Sequence, residues 1–224
     1  MALAPDAIVR LNLGQLWIPY LKIVVPVHGF LVKHPDGAGL VDTGYGTPLE
    51  LIKDYKPVNA SVATAIRQHG VDPADVRWVI NSHLHFDHCG QNAVFPDVPI
   101  YLQRSEWENR DRYGTPSAWL EYAGARFELL DGETEIVPGV RVVTTPGHTR
   151  GHQSISVDTT AGAALITGDA CWTVEMFEGK PPRTLMMDDM PTALTSLQQL
   201  RDLKPAAVHF CHDKRTWHHA AAPR

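Results

Sequence analysis

Within six consecutive residues, His83-Leu84-His85-Phe86-Asp87-His88, the chain carries three imidazoles and a carboxylate. Imidazole nitrogen and carboxylate oxygen are the donors that zinc and similar divalent ions take in catalytic sites, where one position stays open for water. His83 and His85, two apart on an extended turn, point the same way, whereas adding Asp87 and His88 would crowd a single tetrahedron. A second ion nearby is the natural user of that pair. Three further segments put a metal-capable residue just after an apolar run: Thr145-Pro146-Gly147-His148, Thr167-Gly168-Asp169 and Phe210-Cys211-His212-Asp213. Each alone reads as an ordinary turn or a hydrogen-bonded histidine. Taken with the first run they give seven donors, which divide into two sites sharing one carboxylate.

These donors need elements to hold them. Strand-like runs are AIVRLNL (7–13), KIVVPVHGFLVKH (22–34) and, after the turn Pro35-Asp36-Gly37, AGLVDTG (38–44). SVATAIRQH (61–69) has helical spacing and stops at Gly70, and RWVINS (77–82) is a β-rich run leading directly into His83. PIYLQ (99–103) reads as a strand, and RSEWENRDRYG with PSAWLEYAG as two helical pieces. EIVPGVRVVTT (135–145) and QSISVDTTAGAALITGD (153–169) each read as a hairpin. TALTSLQQLRDL (192–203) carries Leu194, Leu197, Leu200 and Leu203 on one stripe, and AAVHFCH (206–212) is a last strand. Two β-rich halves closed by helices predict two packed sheets with helices outside, in a single domain over residues 1–224.

Composition narrows the field. A hydrophobic share of 44% with 20% charged residues over 224 residues describes a chain able to bury a sizeable core. Twenty Lys+Arg against 25 Asp+Glu give a formal charge of −5, the wrong sign for a phosphate-neutralising nucleic-acid binder. No apolar stretch approaches the roughly 20 residues of a membrane span, and the first residues lack a basic segment followed by an apolar one, which predicts a cytoplasmic protein. The three cysteines, Cys89, Cys171 and Cys211, form no CxxC pair, so reduced thiols acting as small buried fillers are expected.

The donor segments resemble the metallo-β-lactamase superfamily, whose mark is HxHxDH followed by a later His, Asp and His, and the match spans nearly the whole chain. The resemblance implies an α/β fold, an αββα sandwich of two mixed sheets face to face. It implies that His83, His85 and His148 hold a first metal, Asp87, His88 and His212 a second, and that Asp169 bridges them. His209 competes with His212 for the last place, but His212-Asp213 fits the pattern better. Asp42, in Asp42-Thr43-Gly44, matches an early Asp-Thr-Gly that orients the ligand loop.

Finer text is similar to the N-acyl-homoserine lactonases, the quorum-quenching enzymes. The stretches are Ser82 to Asn92, Gln103-Arg104-Ser105-Glu106-Trp107-Glu108, Thr145 to Ser154, and Gly168-Asp169-Ala170. Where those lactonases usually carry a tyrosine three residues after the bridging aspartate, this chain has Trp172, whose indole N–H can donate a hydrogen bond but no proton.

The resemblance implies two divalent ions, zinc for preference, about 3.5 to 4 Å apart, activating a bridging water and polarising the substrate carbonyl. Asp87 is the candidate proton shuttle, and Trp172 either donates to the substrate carbonyl or walls the pocket. The expected reaction is opening of an N-acyl-homoserine lactone ring. Alternatives are another lactone or ester, a thioester as in hydroxyacylglutathione hydrolase, and a metal-free binding module, which the full donor set argues against. Partners are a small lactone or ester and, as in many such lactonases, a second copy in a homodimer; no nucleic acid and no membrane are expected. Met176, Phe177, Met186 and Met187, within Thr173 to Met190, suggest a greasy lid over the site. His28, His34, His69, His152, His218 and His219 receive no catalytic role.

Overall fold

The computed structural model describes residues 1–180 and 187–219. Aliphatic and β-branched runs become strands. In the first half these are β1 (Ile8–Ile18), β2 (Ile23–Val32), β3 (Ala38–Val41), β4 (Val58–Asn59), β5 (Val76–Ile80), β6 (Ile100–Gln103) and β7 (Phe127–Leu130). They form one sheet in the order β4-β1-β2-β3-β5-β6-β7. The second half gives β8 (Thr134–Val137), β9 (Val140–Thr144), β10 (Gln153–Thr159), β11 (Gly162–Ile166), β12 (Ala207–His209) and β13 (Thr216–His218), ordered β13-β12-β11-β10-β9-β8. Both sheets are mixed: β1, β2 and β3 pair antiparallel while β3, β5, β6 and β7 run parallel, and β12 lies parallel to β11 in an otherwise antiparallel sheet.

The two-residue period of a strand sorts side chains between the faces. Phe30, Val32, Val41 and Ile80 of the first sheet pack with Val140, Val142, Ile155, Val157 and Ile166 of the second, forming the inner core. Their sequence neighbours Leu31, Leu40, Val79 and Leu165 belong to the other core cluster, which includes the helices. Helix α1 (Val62–Arg67), capped by Ser61, contributes Val62, Ala65 and Ile66. The short helices α2 (Phe86–Cys89), α3 (Arg104–Glu108) and α4 (Val174–Phe177) follow strands, and α5 (Met190–Asp202), capped by Asp189, is the longest. Two sheets inside and helices outside make the expected αββα sandwich.

Several details depart from the sequence reading. The buried arc of α5 is Ala193, Ser196, Leu197 and Leu200, while Leu194 and Leu203 are 47% and 45% exposed. At 100° per residue those two fall on the flanks of the arc, so the leucine stripe is only half right. The segment PSAWLEYAG yields just a single 3₁₀ turn, Ser117–Trp119, in which Trp119 is drawn inward to donate to the Thr47 carbonyl at 2.9 Å. Strands β4, β7 and β13 were not foreseen, being too short to show a period.

The lid expectation changes most. Met176 and Phe177 are buried in the outer core, Phe177 stacking on Phe210 and Trp217. Met186 lies outside the described residues, and of the expected lid methionines only Met187 lines the central cavity among the described residues.

Candidate metal centre

All seven predicted donors sit just beyond the carboxyl ends of strands. His83 follows β5; His85 is the N-cap of α2, which carries Asp87 and His88 in its single turn. His148 follows β9, Asp169 lies in a 3₁₀ turn after β11, and His212 follows β12. Two glycines let the chain bend there. Gly147 has φ +130°, and a Cβ on it would lie 2.3 Å from the Ala193 backbone nitrogen of α5; Gly168 has φ +52°, and a Cβ there would lie 2.7 Å from His152 Nε2. A side chain at either position would push the adjacent ligand away.

The donors converge in two groups, His83, His85, His148 and Asp169, and Asp87, His88 and His212, with the ligand atoms within each lying within 4.8 Å of one another. His85 Nδ1 is 2.9 Å from His83 Nε2 and 2.8 Å from His148 Nε2. Asp169 joins the groups: Oδ2 lies 3.3 Å from His148 Nε2, and Oδ1 lies 3.3 Å from His88 Nε2 and 3.1 Å from His212 Nε2. Asp87 Oδ2 is 3.6 Å from both His88 Nε2 and His212 Nε2. Ligands about 2.0–2.1 Å from one tetrahedral ion are themselves about 3.3 Å apart, so this packing fits two ions.

The surrounding groups orient the rings. Asp42, held at φ +59°, accepts from the Ser82 N–H and hydroxyl at 2.8 Å each and from His88 Nδ1 at 2.8 Å. That fixes the proton of His88 on Nδ1 and turns Nε2 toward Asp169 and Asp87. His212 Nδ1 is likewise tied to the Pro26 carbonyl at 2.8 Å. Buried His88 Nε2 and Asp169 Oδ1 have no hydrogen-bond partner. Polar atoms left unpaired in a buried centre are costly, and a cation held between them, a proton or a metal ion, offsets that cost.

Electrostatics agree. Burial, together with the neighbouring rings, drives His83 well below its ordinary pKa; burial also lowers His85 and His148, so all three present neutral lone pairs. Burial opposes charge on His88 and His212 as well, but there it is outweighed by Asp169 and Asp87, and both are raised. Burial works against the Asp169 anion too, yet His212, His88 and His148 hold it well below the carboxylate range. Positive charge is wanted at this spot.

The cavity over the donors is walled by Leu16, Ile18, Tyr20, Tyr55, Phe86 and Tyr113, with Met187 and Asp188 also lining it. Trp172 lies against His212, ring centroids 4.6 Å apart, and its Nε1 is buried without a hydrogen-bond partner. His209, the competing choice, is away from the centre, its ring edge-on to Phe30. Two residues outside the expected donor set stand beside the donors. His152 is fully buried and accepts the Asp169 N–H at 2.9 Å, and Glu106 is fully buried against the loops of His85 and His148. The three buried cysteines are free thiols, as expected.

Known proteins are similar to this chain in sequence and in fold. The N-acyl homoserine lactonase of Bacillus cereus is 34% identical over 222 residues, covering 91% of this chain and 88% of the relative. That of Rhizobium radiobacter is 30% identical over 227 residues, covering 86% and 84%. Among solved structures, an N-acyl homoserine lactone hydrolase with the product N-hexanoyl-L-homoserine bound at the catalytic metal center superposes with a TM-score of 0.83 at 28% identity, covering 96% of this chain and 95% of that one. The model of the metallo-beta-lactamase superfamily matches residues 23–212, a stretch that takes in all seven donors. With the family model matching residues 23–212 and relatives at 30% identity or better along most of their length, this chain belongs to the metallo-beta-lactamase superfamily.

Proposed function

We propose that this protein is a dinuclear, metal-dependent lactonase that opens the ring of N-acyl-homoserine lactones, with His83, His85 and His148 holding one zinc ion, Asp87, His88 and His212 the other, and Asp169 bridging. The observation that carries the reading is the convergence of seven N and O donors under one cavity, with Asp169 touching both groups. The substrate class is supported by relatives that match along more than four-fifths of their own length. An all-nitrogen and oxygen donor set with five imidazoles suits zinc. Bound there, a pair of such ions supplies a nucleophile at neutral pH and polarises an acyl oxygen.

The protein's own residues do the remaining work. Asp87 lines the cavity 3.6 Å from both His88 and His212, which supports a role for its carboxylate in taking a proton and returning it to the departing ring oxygen. Trp172 walls the cavity and keeps the His212 ring in place. Leu16, Ile18 and Met187 provide an apolar surface for an acyl chain.

Proton release from an N-acyl-homoserine lactone by zinc-loaded protein, beside His85→Ala, tests the reading. A rate that the substitution abolishes is expected. Trp172, in the place of a proton-donating tyrosine, favours a second reading in which the bond cleaved is that of another ester or a thioester. That reading prevails if two zinc ions bind, the lactone is inert and an aryl ester or thioester turns over.

A further inference from the structure

Glu106, on α3, is 0% exposed and pairs with no cation among the described residues. Its two carboxylate oxygens serve two different segments. Oε1 accepts the Leu84 N–H at 2.9 Å, and Oε2 accepts the Gly151 N–H at 2.9 Å. Leu84 is the residue between His83 and His85, and its carbonyl is held as well, by the Thr115 hydroxyl. Gly151 closes the loop that carries His148, and a Cβ on it would lie 2.2 Å from the Glu106 backbone nitrogen, so the loop is seated directly on α3. Burial pushes the Glu106 carboxyl up to about 7 against the pull of these donors. An acid kept in a place that penalises its charge, with each oxygen committed to a separate donor-bearing loop, has a requirement that one amide acceptor does not meet.

We propose that Glu106 is a positioning residue that sets the spacing between the His83–His85 turn and the His148 loop, and thereby the ion affinity of the three-histidine group alone. His88 and His212 of the other group are oriented by different partners, Asp42 and the Pro26 carbonyl. The inference rests on the dinuclear reading above, and it separates the two halves of the centre: loosening Glu106 slackens one and spares the other.

The test titrates zinc against a chelator of known affinity in wild type, Glu106→Gln and Glu106→Ala, and follows amide hydrogen exchange at Leu84 and Gly151. Glutamine keeps one acceptor, so the expected order of weakening is Ala over Gln. One of the two zinc equivalents should weaken by about 10- to 100-fold, the usual effect of losing an outer hydrogen-bond partner, while the other stays within about threefold. Exchange at Leu84 and Gly151 should quicken. Two equivalents as tight as in wild type, or two weakened together in step with lost folding stability, would overturn the proposal. If Glu106→Ala fails to fold, Glu106→Gln carries the comparison. A wild type that binds fewer than two equivalents sinks the dinuclear reading instead, and exchange at the two amides then decides whether Glu106 ties the loops.

Discussion

The backbone N–H of Asp169 donates to His152 Nε2 at 2.9 Å, and from the other side of that ring runs a relay through Thr145 Oγ1 and Ser154 Oγ to the Thr167 carbonyl. An amide only donates and a carbonyl only accepts, so the two ends dictate every proton between them: His152 is neutral, with its hydrogen on Nδ1. Burial agrees, lowering its pKa to about 4. The residue that joins the two donor groups is thus held from behind by an uncharged ring.

His152→Leu leaves the Asp169 N–H buried without an acceptor, a cost of about 1–3 kcal/mol. We expect chemical denaturation of metal-free protein to show that loss and chelator to strip zinc faster from the variant. An unchanged denaturation midpoint would mean that Asp169 needs no such support.

Trp172 separates a wall from a hydrogen-bond donor. Phenylalanine keeps the ring over His212 and removes the N–H. Trp172→Phe should therefore keep kcat/KM for a lactone within about threefold, and Trp172→Ala should lower it by about tenfold or more. A Phe variant as slow as the Ala variant would make the N–H part of the chemistry.

Acyl preference should follow Met187, which lines the cavity and is half-buried, rather than Met176 and Phe177, which are core. Met187→Ala should reduce kcat/KM for decanoyl substrates by about 5- to 20-fold while butanoyl substrates change little, since a lost apolar contact is worth about 1–2 kcal/mol. Equal losses for both lengths would exclude Met187 from the acyl path.

Acid should weaken the fold through His28 and His209. Burial, with Arg10, His212 and Lys214 adding repulsion, pushes His28 down to about 4; burial with Arg10 and His218 does the same to His209. Between the ordinary histidine pKa of 6.5 and about 4 the unfolded chain holds a proton that the folded one refuses, so stability drops as pH falls through that window. The limiting slope is roughly 1.4 kcal/mol per pH unit for each histidine. Urea unfolding of metal-free protein at several pH values should give a shallower fall for His28→Gln than for wild type; parallel curves would clear His28.

The donors were legible because their types are rare and their positions local: His83 to His88 reads as a ligand run in one line of text. The sandwich was legible because the apolar, β-branched runs of β2, β9 and β10 stand between clear turn residues. Glu106 was not, since Arg104, Glu108 and Arg110 around it make a run that looks solvated, and only the approach of Leu84 and Gly151 from distant sequence gives it a function. The contact that His152 makes is hidden for a similar reason: its partner is a backbone N–H seventeen residues on, which no side-chain pattern announces. The core position of Phe177 depends on Phe210 and Trp217, and that long-range packing overrides a local impression of a loop.

The donors are also shared out between the two halves of the chain: four follow the first sheet's β5, and three follow strands of the second sheet. Neither half owns a complete set. Cut at the turn between β7 and β8, where Asp131 and Glu133 are exposed, the chain would become two fragments whose reassembly answers to zinc concentration, so that the centre which performs the chemistry would also act as the reporter of its own assembly.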